Sequence, residues 1–448
     1  MEALEVQTYL ARLSSTPSRP GLERIHTMLD HLGHPEGDFQ IVHVVGTNGK
    51  GSTAQFIASI LESAGKQVGL FTSPHLVRFN ERIQVNGVPI QDEALEQIFQ
   101  ELYPCLKELS IGAYGQPGMF EIATALALKY FSLAGVDYAV LEAGMGGRYD
   151  ATHVGMPAVT VFTHIDLDHT EILGETVELI AAEKADVIPP GGIVVTAPQA
   201  VGVKRVIAAV AESRGAKVID VETQYQIDRA LPGSSGTSFS VSSKGHWRHL
   251  HINLLGLFQI TNAVTALATV DTLVERELKI TDSQIAQGLA AARWPGRLEV
   301  VRKEPVVVLD GAHNLDGFRQ LAAALPVHFG WRRLHFIISI VGQKPAQAML
   351  QTLLPQGDTV VFTTPQSSRS RPLEPSTLLG LVEGMVEEAD TAPCFGAAYD
   401  KALGRAQKGD LICICGSLYL IGEARKQLLA QGDMAGIVCP GAENYKAE

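Results

Sequence analysis

Cysteine is scarce in this chain of 448 residues, and its five cysteines, Cys105, Cys394, Cys413, Cys415 and Cys439, are scattered and odd in number. No C-x-x-C spacing occurs, which argues against a disulfide framework and against a cysteine zinc site, and suits a reducing compartment. Cys413 and Cys415 alternate in LICICG and read as one face of a buried strand. Positive charge is also short. Lys and Arg total 36 against 48 Asp and Glu, and the net charge of −12 leaves no general surface for phosphate backbones. No apolar run approaches the roughly 20 residues that cross a bilayer. The opening MEALEVQTYLARL carries acidic residues and no long apolar stretch, unlike a secretory signal. The expectation is a cytoplasmic protein with neither nucleic acid nor membrane as partner.

What is present is an apolar fraction of 46%, dispersed among glycine-punctuated segments as in a globular enzyme. At roughly 150 residues per domain the length allows two or three domains. QIVHVV at 40–45 is short and β-branched, and is followed by a glycine-rich turn and the helical pattern STAQFIASILESAG. The alternation recurs at 67–72, 137–142, 157–163 and 192–196, with helical stretches such as 119–134 and 175–187 between. This predicts an α/β fold with a mostly parallel sheet. Asn86-Gly87 between alternating residues predicts a hairpin insertion. The polar stretch GSSGTSFSVSSKGHWRHLHINL predicts short antiparallel strands, and helices follow at roughly 259–275 and 281–293.

Pro295 and Gly296 break the helical pattern, and from Val306 the alternation restarts in VVVLDG, LHFIISIVG, DTVVFTT and DLICICG. The expected organisation is therefore a large N-terminal domain over 1–296, a smaller doubly wound domain over 297–430, and a tail over 431–448.

Gly46-Thr47-Asn48-Gly49-Lys50-Gly51-Ser52 joins the first strand to its helix. It departs from G-x-x-x-x-G-K-[ST], because Val44 stands at the first glycine and Gly51 separates Lys50 from Ser52. Its mechanics still suit a triphosphate. The glycines permit turns that aim N–H groups at phosphate oxygens, and the helix N-terminus adds about half a positive charge. Lys50 would reach the outer phosphates, and Ser52 or Thr53 a Mg²⁺ ion. A plain strand-to-helix turn is the bland alternative, disfavoured by a lysine set between two glycines.

EAGMGGR at 142–148 puts Glu142 at a strand end, where open α/β sheets bind ligands, so that it could hold Mg²⁺; capping or solvation is the alternative. THIDLDH at 163–169 alternates His and Asp like a dinuclear metal centre, but no second histidine-rich set accompanies it. One metal contact plus structural hydrogen bonds is the reading kept. Asn262, Arg297, and Asp310 with His313 and Asn314 in VVVLDGAHN each have a structural explanation, a helix-face amide, a linker cation and a strand-end cap, but Asp310 directly after four apolar residues sits where an α/β domain presents ligand-binding groups.

With PGLERIHTMLDHLG, GTNGKGS, TSPHLVRFNERI, FEIATALA, LEAGMGGRYDAT, LDHTEILG, EKADVIPPG, NAVTALA, PGRLEVV, LDGAHN and GSLYLIGEAR in order, nearly the whole chain resembles the folylpolyglutamate synthase and dihydrofolate synthase family, relatives of the muramyl peptide ligases. The resemblance implies a large N-terminal P-loop ATPase domain and a smaller C-terminal Rossmann-like domain with the site between them. It implies that Ser73, Glu142 and His169 hold Mg²⁺, with Ser52 near it, and that residues 46–52, Asn262, Arg297 and Asp310 hold ATP. It implies carbamylation of Lys184, whose new negative charge would serve the metal. Pterin contacts would fall at Arg19 to Leu22 (Gly21 and Leu22 among them), at 118–121 (Phe120 and Glu121) and at Tyr149, Asp150 and Ala151.

Four departures from the family pattern stand out. Gly118-Met119 replaces Thr-aromatic before Phe120-Glu121, Asp186 replaces Gly, Leu315 follows AHN in place of Pro, and VGQKPAQAML lacks Asp-Lys-Asp.

The expected reaction is ATP-dependent addition of L-glutamate to dihydropteroate or to a (tetrahydro)folate polyglutamate through an acyl phosphate, by a monomer. Lys50 would offset charge on the transferring phosphoryl group, and His313 would orient groups near that step. Two rivals are a muramyl-type amino-acid ligase and an ATP-hydrolysing regulatory module without ligase activity. The first would need a further N-terminal domain for its nucleotide sugar, and 45 residues precede Gly46. The second is disfavoured by the second domain and the Arg297/Asp310 pair.

Overall fold

The computed structural model describes residues 6–13, 20–368 and 371–430; Arg19, Cys439 and the tail 431–448 lie outside them. Among the described residues there are three sheets. The first has eight strands: β1 (Gln40–Val45), β2 (Val68–Phe71), β3 (Ile83–Val85), β4 (Val88–Pro89), β5 (Tyr138–Glu142), β6 (Pro157–Phe162), β7 (Ile193–Thr196) and β8 (Lys217–Asp220). Their spatial order is β4-β3-β2-β5-β1-β6-β7-β8. All neighbours pair in parallel except the hairpin arm, where β2/β3 and β3/β4 are antiparallel. Asn86 and Gly87 turn that hairpin with φ of 48° and 72°, both positive, as a two-residue primed turn requires.

β1 is the centre of this sheet, flanked by β5 and β6, and five of its six residues are buried. That explains its continuous apolar run, since a parallel strand covered on both faces has no solvent side to alternate toward. Because neighbours run parallel, the loops after β1, β2, β5 and β6 emerge at one edge of the sheet. Helix Lys50–Ser63 packs on one face together with Phe258–Val274 and Asp282–Ala291, in a core that includes Phe56, Ile60 and Leu267. Helices Glu23–Leu32, Asp92–Ile111 and Met119–Leu133 share a second core with Phe71 and Leu141.

The second sheet is the antiparallel β9 (Tyr225–Gly233), β10 (Gly236–Ser243) and β11 (His246–Ile252). Phe239, Val241, Leu250 and Ile252 are buried in the same core as helix Lys50–Ser63.

The third sheet consists of β12 (Glu299–Lys303), β13 (Val306–Leu309), β14 (Leu334–Ile338), β15 (Thr359–Phe362), β16 (Glu388–Thr391) and β17 (Leu411–Cys415), in the order β12-β13-β17-β14-β15-β16. β12 and β13 are antiparallel and the others parallel. Cys413 and Cys415 are wholly buried in it. β8, β12 and β16 lie at sheet edges, and their polar composition hides them from a search for apolar runs. A mostly parallel, helix-covered sheet in each half matches the predicted α/β class.

A candidate nucleotide and ligation site between two sheets

The loop after β1 is moulded against the loop after β6. The Thr47 and Asn48 N–H groups both donate to the His164 carbonyl, at 2.9 and 3.1 Å. Gly46 adopts φ 156°, and a Cβ there would sit 2.0 Å from Thr163 Oγ1, so no larger residue fits. Gly49 caps helix Lys50–Ser63 in the left-handed region, φ 86°. The sequence-predicted loop thus has its helix N-terminus open to a cleft of about 680 Å³.

That cleft brings together residues 46–52, Ser73, Glu142, His169, Lys184, Asn262, Arg297, Asp310 and His313, from both halves of the chain. Lys50 Nζ donates to its own loop at Thr47 O, 3.0 Å. Ser52 Oγ accepts from Gln259 Nε2 at 3.2 Å, and Gln259 accepts in turn from Asn262 Nδ2 at 2.9 Å. Asp310 is buried, and its two oxygens accept the Leu298 and Ala312 N–H groups at 2.9 and 2.8 Å. It therefore braces the segment that joins the halves, with Arg297 packed over Gly311 beside it.

Glu142 is buried and accepts the Ser73 N–H at 2.9 Å. Burial raises its pKa, while Lys50, the Ser73 N–H, Arg297 and Arg82 oppose the rise. His169 has its pKa lowered by burial, against the pull of Asp168, which keeps the imidazole neutral and able to ligate. A serine hydroxyl, a carboxylate and an imidazole lining one cleft with the phosphate loop form a donor set whose chemistry fits a divalent ion. Lys184 is buried in the same wall, with Nζ 3.4 Å from Gly146 O. Burial, then the neighbouring Lys50, lowers its pKa to about 7.

On the opposite lip, Asp168 is ion-paired with Lys344 and accepts from Asn314 Nδ2 at 3.2 Å, with His313 Nε2 at 3.9 Å. Burial alone would raise the Asp168 carboxyl, but His313, His169 and Lys344 outweigh it and hold it below the usual range. His313 is lowered to about 4 by its desolvated surroundings, and its Nδ1–H donates to Gly311 O at 2.8 Å. Lys344 and Asp316 were not among the expected site residues. Nothing periodic marks them; only their meeting with Asp168 and Asn48 does so.

A second cleft of about 470 Å³ shares Gly51, Ser73, Pro74, Glu142, Arg297 and Leu418 with the first. It runs on past His75, Arg78, Trp294 and Arg425. Among the described residues, none of those expected at the pterin lines either cleft. Glu121 is ion-paired with buried Arg24 at 3.0 Å and takes the Gly118 N–H at 2.6 Å. Asp150 takes the N–H groups of Gly144, Met145 and Thr152 at 2.8 to 3.0 Å. Phe120 packs on Phe71 and beneath Gly144, and Ala151 is core. Gly21 and Leu22 lead into helix Glu23–Leu32, and Tyr149 lies half-exposed under Arg148.

Residues 92–270 match the Mur ligase middle domain and residues 296–418 the Mur ligase glutamate ligase domain. The chain is 37% identical to a dihydrofolate synthase/folylpolyglutamate synthase of Bacillus subtilis over 92% of its length and 95% of that protein. It superimposes on Mycobacterium tuberculosis folylpolyglutamate synthase complexed with ADP with a TM-score of 0.89, at 31% identity, over 95% of this chain and 98% of that one. A solved FPGS–AMPPCP–folate complex is similar at TM-score 0.82 and 33% identity, over 94% of this chain and 99% of that one.

Proposed function

The chain belongs to the folylpolyglutamate synthase and dihydrofolate synthase family of Mur ligases, and from that premise we propose how its two clefts divide one reaction. It is an ATP-dependent ligase that adds glutamate to folates. The observation that carries the division of labour is the wall both clefts share at Gly51, Ser73, Glu142 and Arg297. ATP occupies the larger cleft with its phosphates on residues 46–52, and the acceptor's carboxylate enters from the smaller one. The γ-phosphoryl group then faces the acceptor across the shared wall.

The carboxylate oxygen attacks the γ-phosphorus, ADP leaves, and an acyl phosphate forms. The α-amine of L-glutamate attacks the acyl carbon, phosphate departs with the C–O bond electrons, and the amine proton is released. Activation is needed because a free carboxylate resists attack by an amine. Lys50 and Arg297 balance charge on the phosphoryl group, a role worth about 10²–10³ in rate for one well-placed donor. Asn262 and Asp310 fix the nucleotide side, and His313 orients groups on the facing lip. Bound Mg²⁺ would neutralise phosphate charge, held by Ser73, Glu142 and His169 with Ser52 nearby. Lys184, carbamylated, would present an anion to it.

The acceptor is dihydropteroate, a (tetrahydro)folate polyglutamate, or both, with L-glutamate as the second substrate, and the working unit is a cytoplasmic monomer. On the pterin side, where Gly21, Leu22, Phe120, Glu121, Tyr149, Asp150 and Ala151 are expected, Phe120 beneath Gly144 and Asp150 on the Gly144 and Met145 N–H groups shape the loop 143–150. A substrate panel with ATP, Mg²⁺ and L-glutamate tests the reading. Amide products from dihydropteroate, tetrahydrofolate or both are expected, and ATP turnover indifferent to all acceptors would overturn it.

A further inference from the structure

His164, Asp168 and His169 of the run after β6 line the ATP cleft, as does Asp316, but His164 and Asp166 take no part in the group of Ser73, Glu142 and His169. They meet Asp316, from the first turn of helix Leu315–His328 in the other half of the chain. One ligand atom from each of the three lies within 4.8 Å of the others. His164 Nε2 is 3.8 Å from Asp316 Oδ2.

The two residues of the β6 loop are held firmly by their backbones. His164 O takes two N–H groups from the phosphate loop, and Ile165 N donates to Gln199 Oε1 at 3.0 Å. The Thr47 hydroxyl bonds both the Asp166 N–H, at 3.2 Å, and the Asp166 carbonyl, at 3.0 Å. Their side chains, by contrast, are uncommitted. Among the described residues neither ring nitrogen of His164 has a hydrogen-bond partner, and the Asp166 carboxylate takes only the adjacent Leu167 N–H, at 2.7 Å. Asp316 takes Asn48 Nδ2 at 2.7 Å on one oxygen and faces Gln320 Nε2 at 3.5 Å on the other.

Two carboxylates from opposite sides of the cleft therefore converge with an imidazole, and the nearby ammonium of Lys344 is committed to Asp168. Without a cation between them the carboxylates repel and favour an open cleft. We propose that His164, Asp166 and Asp316 are the three protein ligands of a second divalent-metal site, one that staples the two halves of the enzyme together. An imidazole with two carboxylates suits Zn²⁺, Mn²⁺ or Co²⁺ better than Mg²⁺, whose preference is for oxygen ligands and water. Three protein ligands leave a position for water. The set shares no residue with Ser73, Glu142 and His169. Because its ligands come from both halves, the ion binds the closed arrangement better and shifts the population toward it. This inference stands apart from the ligase reading, since metal binding and closure are measured without turnover.

The test is titration of the full chain with Co²⁺ in saturating Mg²⁺ and without nucleotide, followed by visible d–d absorption and calorimetry. One bound equivalent is expected. His164→Asn and Asp316→Asn should each weaken binding by more than the roughly 10- to 100-fold that loss of an outer-sphere partner costs. Zn²⁺ should reduce the radius of gyration of the parent chain and leave the His164→Asn variant unchanged. Urea midpoints of both variants without metal check that they fold, and Asp166→Asn replaces either one that does not. The proposal is overturned if the parent chain binds no Co²⁺, if the variants bind it equally well, or if binding survives in His164→Asn and is lost in Glu142→Gln.

Discussion

Lys344 and Asp168 form an ion pair across the cleft, the lysine from the half that carries β12–β17 and the carboxylate from the loop behind β6. Both side chains are largely buried, at 15% and 9% exposure, so water screens the pair little. Asp168 also takes Asn314 from the same facing half, which makes it the point where the two halves grip each other. Lys344→Met keeps the stem of the side chain and removes the charge. It should lower kcat by up to about 100-fold, the size of effect that a small misplacement of reacting groups produces. Scattering should show a larger radius of gyration with ATP bound. Unchanged kcat and an unchanged scattering curve would remove the pair from the closing machinery.

Lys184 predicts a pH profile. Its folded pKa is lowered from 10.5 to about 7 by burial and then by Lys50. A carbamate forms only from the neutral amine, so the reactive fraction grows as pH rises through about 7. Turnover should rise over the same interval, be steeper with added bicarbonate, and fall by more than about 100-fold in Lys184→Met. The stability sign agrees. Between about 7 and 10.5 the unfolded chain holds a proton on this lysine that the native chain lacks, so its contribution to stability grows with pH. Intact mass of active protein, read for one added carboxylate, is the direct check.

Gly147 tests the placement of that lysine without touching it. A Cβ at this position would lie 2.8 Å from Lys184 Cα and 2.9 Å from the Glu183 and Lys184 carbonyls. These are backbone atoms and cannot rotate away. Gly147→Ala should push helix Val177–Ala185 off the loop, costing about 1–3 kcal/mol of stability by overpacking. Turnover should fall with little change in the KM for ATP. An Ala variant with normal kcat would show that Lys184 tolerates displacement.

Arg24 and Glu121 separate a structural from a substrate role on the pterin side. Their side chains are 4% and 8% exposed and joined at 3.0 Å. Arg24→Met leaves a buried carboxylate unpaired and should lower unfolding free energy by about 3–5 kcal/mol in urea titrations. If stability is unchanged while the KM for the acceptor rises, Glu121 contacts substrate instead.

The sequence by itself determined the alternation of strand and helix, the glycine-rich turn from β1 into its helix, the hairpin turn at Asn86-Gly87 and the break at Pro295-Gly296. These are local matters: periodicity, left-handed glycines and proline act within a few residues, so they can be read along the chain. It also marked Glu142 and Asp310 as candidates, because strand ends of an α/β sheet are where ligand groups stand, while His169, Lys184, Asn262 and Arg297 took their expected roles from the family resemblance. Only the tertiary structure decided which of them meet. Asn48 touches Asn314 and Asp316 from 266 and 268 residues away, and Asp168 finds Lys344 at a separation of 176. The edge strands β8, β12 and β16 were hidden because a half-exposed strand needs no continuous apolar run. Glu121 and Asp150, marked for substrate, turned out to have their carboxylates engaged by Arg24 and by backbone N–H groups. Side-chain partnership at such distances depends on how separate layers pack, and no spacing in the chain encodes it.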